Sequence, residues 1–340
     1  MLSSCSSRPA DSRPELSATL SERATGWLMS SSDPSVRYLT MVDVLREPAH
    51  AVAVQSTKAQ IPNGDRVRAL LDRQRPDGGF GDDPYVKWSG VHWRLVSLVE
   101  LSAPASDELR LAIDKVLDWL SSETLFETVN GLPRIHASIP GNAIACSSLS
   151  GMSGDQRVRA LVDVLLETQW PDGGWNCDEK PDASRSSFHE SLAALWGLIE
   201  YAKATGDAKV SRAVDRSAEL FLKRRLFRSM SSGEIIDPEW RRLHYPTYWH
   251  YDVLQALVIL SRANKLSDPR VDEALDIIES KRDDQGLWRA EGYYWGRREM
   301  LEPSSLDDSP NAEVVDWGRD GPDEMITLNA LRVLRAAGRL

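Results

Sequence analysis

Residues 169–175 read QWPDGGW, and a near copy, QRPDGGF, occupies residues 74–80. A degraded third copy, KRDDQGLW, runs over residues 281–288. Recurring units decide a fold before any single element does, because each unit must bury its apolar face on its neighbours. The copies begin roughly a hundred residues apart. Each follows an apolar stretch of helical spacing (VRALLDRQ, VLLETQ, ALDIIESK) and precedes another, so the motif reads as a turn joining two helices. Proline and paired glycine supply the break. Weaker units near residues 121–145 and 227–251 divide the spacing into steps of about fifty residues, which suits one helical hairpin with its loop.

Working outward, apolar periodicity places helices near 35–46, 66–74, 90–102, 108–120, 142–149, 156–168, 187–204, 209–226, 247–264, 269–281 and 323–337. No run of strands stands out, so the expected class is all-α. A further helix near 16–30 would pair with the last one and close the chain into a ring of about six hairpins. Residues 1–15, rich in Ser and Pro, read as a flexible tail, and 16–340 as one domain. The stretch 289–322 is rich in Gly, Pro, Asp and Ser and reads as a long loop; Tyr293, Tyr294 and Trp295 suit it to be a lid.

Bulk properties restrict the partners. The 340 residues are 41% hydrophobic and 27% charged, as in ordinary globular proteins. A net charge of −10 lacks the basic face that nucleic acid demands. No apolar stretch approaches the roughly 20 residues of a membrane span, and the N-terminus has no apolar signal core. Three scattered cysteines, Cys5, Cys146 and Cys177, suit a reducing cytoplasm better than a disulfide scaffold. The composition is odd in one respect: twelve Trp against five Phe.

The two PDGG-aromatic copies resemble the repeats of squalene–hopene and oxidosqualene cyclases and of the β subunits of protein prenyltransferases. The resemblance covers about residues 66–340 and implies an α/α toroid, in which inner helices surround a cavity and outer helices pack around them. Five of the six histidines fall near the proposed inner-helix starts, in the company of Trp and Tyr. His189, His250 and Asp252 are the candidates for the chemistry, with His92 and Glu190 beside them. Trp88, Trp93, Trp196, Trp249 and Tyr251 are the candidates for the cavity wall. Two of them have a plainer explanation: Glu190 lies three residues after Ser187, as in a capping box, and Asp252 could favour a positive helix N-terminus.

The segment 173–198 resembles the prenyltransferase stretch that carries a zinc-ligand histidine, and His189 occupies that position. The other two ligand positions hold Ser89 and Val91, so the resemblance carries no zinc site, and no spacing matches a known zinc pattern. Cys177, His92 or His250 are the residues that could substitute. The DxDD acid motif of the cyclases and the DDxxD motif of other terpene synthases are both absent. The expected function is acid/base chemistry on a small hydrophobic, isoprenoid-like substrate in an aromatic-lined cavity. Two alternatives stay open: a carbohydrate-active toroid, whether hydrolase or lyase, and a non-catalytic ligand-binding or scaffold protein.

Overall fold

The computed structural model describes residues 13–81, 83–297 and 312–340. Most of the expected tail, with Cys5, and residues 298–311 of the expected long loop lie outside the described residues. The described chain is mostly helical: α1 (Arg13–Met29), α2 (Pro34–Leu39), α3 (Val52–Lys58), α4 (Asp65–Leu71), α5 (Val91–Glu100), α6 (Asp107–Ser122), α7 (Ser138–Leu149), α8 (Gln156–Thr168), α9 (Phe188–Thr205), α10 (Ala208–Lys223), α11 (Val253–Arg262), α12 (Asp272–Ser280) and α13 (Glu324–Ala336). A π-helical turn, Thr40–Val44, continues α2. Among the described residues no helix is long and apolar enough to cross a membrane.

Each repeat turn does the same work. In all three copies the first glycine, Gly78, Gly173 or Gly286, has a positive φ (83°, 102° and 87°) that only glycine adopts freely. A Cβ there would collide with a backbone carbonyl of another helix: Leu111 in α6, Arg216 in α10 and Leu20 in α1 respectively. The turn therefore docks flat on another helix, and the third copy docks on α1. Gln74 and Gln169 reinforce this contact, each donating both to its own turn glycine and across to that helix at Glu108 or Ala213. The closing aromatics are anchored alike. The Trp175 indole N–H donates to Leu165 O at 3.0 Å, and that of Trp288 to Ile278 O at 2.7 Å, ten residues upstream in both cases.

The apolar faces of α5, α7, α9, α11 and α13 bury against one another in that order, and α13 packs on α1, α2 and the π-helical turn. The closest approach is between α7 and α9, where Gly197 lies directly against the carbonyl of Gly141. The helices α6, α8, α10 and α12 pack against α5, α7, α9 and α11 respectively. The N- and C-terminal helices thus meet, as the sequence pattern expects.

Two expectations change. The absence of strands is corrected by a hairpin, β1 (Phe126–Val129) with β2 (Leu132–Ile135), turned at Asn130 and Gly131, both in the left-handed region. Asn-Gly between two such runs is a strong hairpin signal. A parallel two-residue pair, β3 (Gly296–Arg297) with β4 (Ala312–Glu313), is added. The helix expected from 247 starts at Val253 instead, because Asp252 is its N-cap and accepts from the Gln255 amide at 2.8 Å.

Candidate functional site

The N-terminal ends of α5, α9 and the loop before α11 bring the aromatic candidates together. Trp88 stacks on Tyr248 at 3.8 Å between centroids and meets Trp93 edge-on at 5.1 Å. The indole of Trp88 donates to Tyr294 O at 2.7 Å. His250 is stacked between Trp249 (3.8 Å) and Tyr294 (3.5 Å, nearly parallel). The segment bearing Tyr293, Tyr294 and Trp295 therefore sits over this cluster; residues 298–311 of the expected lid lie outside the described residues.

Below the cluster lies a chamber of about 30 Å³ lined by His189, Trp196, Tyr248, Trp249 and His250, with Asn142 and Glu100. That is space for about one water molecule. Four buried polar atoms around it have no hydrogen-bond partner: His189 Nδ1, Trp196 Nε1, Trp249 Nε1 and the Tyr248 hydroxyl. Buried polar groups are normally satisfied, so this concentration marks a place that takes a polar guest or a water.

The histidines are neutral here. Burial pushes His92 down to about 3 and His250 down to about 4, the latter opposed only weakly by the Thr247 carbonyl. His189 is also lowered, by burial first. The unfolded chain takes up these protons from about pH 6.5 downward, whereas the folded chain resists until near pH 3 to 4. Stability therefore falls as pH drops through that window. We expect His92→Asn to flatten the fall in unfolding free energy between pH 6 and 4.5 by up to about 1.4 kcal/mol per pH unit, measured by denaturant titration. An unchanged slope would show that His92 is not held neutral.

No protein-family model and no curated protein sequence matches this chain. Among solved structures it is similar to a type II terpene cyclase from Scytonema, with a TM-score of 0.45 and 12% identity over 96% of this chain and 100% of that one. A variant of that cyclase in complex with geranylgeranyl dihydroxybenzoate gives 0.42 and 14%, over 96% and 99%. A protein from Actinoplanes gives 0.43 and 15%, over 95% and 99%. At these values no residue is transferable, and the site rests on this chain's own geometry.

The structure places six of the sequence candidates away from the chamber lining. Asp252 does not face His250; its carboxylate caps α11 and accepts from the His244 amide at 3.1 Å. Tyr251 is core, packed among Phe188, Phe221 and Trp240 with its hydroxyl donating to Leu226 O. Trp93 is buried and donates to Tyr85 O, and Trp88 packs above the chamber; neither lines it. His92 also lies outside the lining, with Nε2 3.4 Å from the Asn142 amide nitrogen. Glu190 points away altogether. It accepts from the Ser138 amide (2.9 Å) and lies 3.2 Å from His136 Nδ1. Burial would raise the Glu190 carboxyl, but the His136 and Ser138 hydrogen bonds outweigh it and hold it below the usual range.

The residue that sequence reading missed is Glu100. It ends α5, borders the aromatic chamber on one side and a cavity of about 850 Å³ on the other. That larger cavity lies at the opposite, C-terminal ends of α5, α7, α9, α11 and α13, where Lys203, Arg262 and Arg332 border it too. Burial raises the Glu100 carboxyl above its ordinary range despite the hydrogen bond from the Tyr245 hydroxyl (3.1 Å) and the nearby Arg262 and Arg332. A carboxylate at the end of an apolar helix, where the dipole disfavours it, was the available signal.

Proposed function

We propose that the chain is an α/α toroid and an enzyme of the terpenoid cyclase-like kind, acting on a hydrophobic, isoprenoid-like substrate with Glu100 as the acid. The ring is supported by the serial packing of α5, α7, α9, α11 and α13 and by the docking of the third repeat turn on α1. The observation that carries the chemistry is the Glu100 carboxyl, raised by burial at the junction of the 850 Å³ cavity and the aromatic chamber. Ligand pockets span about 300–1,000 Å³, so the large cavity takes the substrate and brings its reacting end to Glu100, beside the aromatic chamber.

In the step this arrangement supports, the Glu100 O–H proton passes to an alkene carbon, leaving a carboxylate and a carbocation. The Tyr245 hydroxyl already bonded to Glu100 stabilises that carboxylate. Trp196, Trp249 and Tyr248 present ring faces near the cation, each worth about 2 kcal/mol when desolvated. His189 or His250, neutral, accepts the proton from the adjacent carbon and restores an alkene. The histidine releases that proton to solvent, and solvent through the large cavity reprotonates Glu100.

The second reading is a ring that holds a polar ligand such as a saccharide, and the four unpartnered polar atoms at the chamber favour it. Incubation with a panel of prenyl diphosphates, squalene and oligosaccharides, read by mass spectrometry, separates the two. Cyclised or isomerised prenyl product supports the first reading. Saccharide turnover, or a tightly retained co-purified ligand without turnover, overturns it.

A further inference from the structure

The Glu190 carboxylate that left the chamber belongs to a second cluster. His136, Cys177 and Glu190 each offer a ligand atom, and these atoms lie within 4.8 Å of one another. We propose that they form a zinc site with an open fourth position. None of the three stands at the ligand positions the family resemblance implied, Ser89, Val91 and His189, so this is a separate arrangement.

The donor set is the first argument. Thiolate, imidazole and carboxylate are the three side-chain ligands that zinc takes, at about 2.0–2.3 Å. Tetrahedral placement at those lengths separates ligand atoms by about 3.3–3.6 Å. His136 Nδ1 and Glu190 Oε1 stand 3.2 Å apart, already at that spacing, and a small movement brings Cys177 in.

The second argument is that the backbone holds all three ligands in place. Ile135, next to His136, donates its amide to Asn176 O, next to Cys177, at 2.9 Å. Ser187 donates to Trp175 O at 2.8 Å and caps α9 three residues before Glu190. The β1–β2 hairpin, the loop after the repeat turn and the start of α9 are thus stitched together at the cluster. Glu190 is oriented further by the Ser138 amide on its other oxygen, the outer support that metal ligands usually have.

The third argument is access. A cavity of about 250 Å³ is lined by His136 and Cys177 and leaves room for a water or a substrate atom on the metal. Arg134 lines the same cavity, is 3% exposed, and has Nε and Nη1 without partners. Zinc with one thiolate and one carboxylate is formally neutral, so the guanidinium does not oppose it and suits an anionic fourth ligand.

Untagged full-length protein should retain about one zinc per chain after dialysis, by elemental mass spectrometry. Cobalt exchanged into the site should show a thiolate charge-transfer band. Cys177→Ser should abolish that band, and His136→Ala should weaken zinc binding by about 100-fold. His136 is exposed and Cys177 only half-buried, so both changes leave the packed core intact. Zinc should also slow alkylation of Cys177, read on its own peptide. A cobalt spectrum without the band, or zinc affinity unchanged in Cys177→Ser, overturns the site. Rapid metal-independent alkylation of Cys177 with no retained zinc would instead mark a His-activated nucleophile and overturn it equally.

Discussion

Gly173→Ala is expected to lower the unfolding free energy by about 3 kcal/mol or more, because two costs coincide. The residue has φ of 102°, a conformation that L side chains rarely adopt, and its Cβ position is already filled by the carbonyl of Arg216 in α10. Relief would require the turn to lift off α10, which would also break the Gln169 bridge to Ala213 O. Gly154→Ala is the control, since nothing lies near its Cβ position and its φ is ordinary; it should change stability by no more than about 0.5 kcal/mol. Chemical denaturation of the two variants side by side decides the matter. A loss below about 1 kcal/mol for Gly173→Ala would mean that the repeat turns do not hold the hairpins together.

Glu100→Gln carries the largest functional effect. If the carboxyl is the acid, kcat on the panel compound that turns over should fall by about 10²–10⁴ with KM little changed. Stability should move the other way. A buried carboxyl whose folded pKa is raised contributes stability below the unfolded value near 4.3 and loses it as pH rises. Glutamine accepts the same Tyr245 hydrogen bond without ever ionising. The variant should therefore match the parent near pH 4 and become more stable than it as pH rises above that value. Retained activity refutes the acid role, and a stability gap that does not grow with pH refutes the raised carboxyl. The two outcomes are independently readable.

Much of the architecture was legible from residues alone, and the reason is local. The PDGG-aromatic turns announce positive φ, close backbone approach and a buried indole, all of which depend on a few adjacent residues. Helix periods and caps are likewise short-range, and Ser187, Asp155 and Asp252 cap the helices that follow them. The tryptophan excess divides on the same line. Trp175 and Trp288 brace repeat turns, Trp88 and Trp93 pack the aromatic cluster, and Trp196 and Trp249 face the chamber.

The site was less legible. Sequence grouped His189, Glu190, His250 and Asp252 by their position at helix starts, but neighbours in a helix point in different directions. His189 looks into the chamber, whereas Glu190, one residue on and about 100° around the helix, meets His136 from another hairpin. Asp252 was resolved by a cap whose partner, Gln255, is local, and by His244, which is not.

What the sequence by itself determined is the repeating hairpin, its turn chemistry and the helical class, since these follow from spacing and backbone preference within a dozen residues. Only the tertiary structure decided which polar groups share a space. It set Glu100 between two cavities and gathered His136, Cys177 and Glu190 from three segments, because burial and convergence depend on how hairpins far apart in the chain pack against one another.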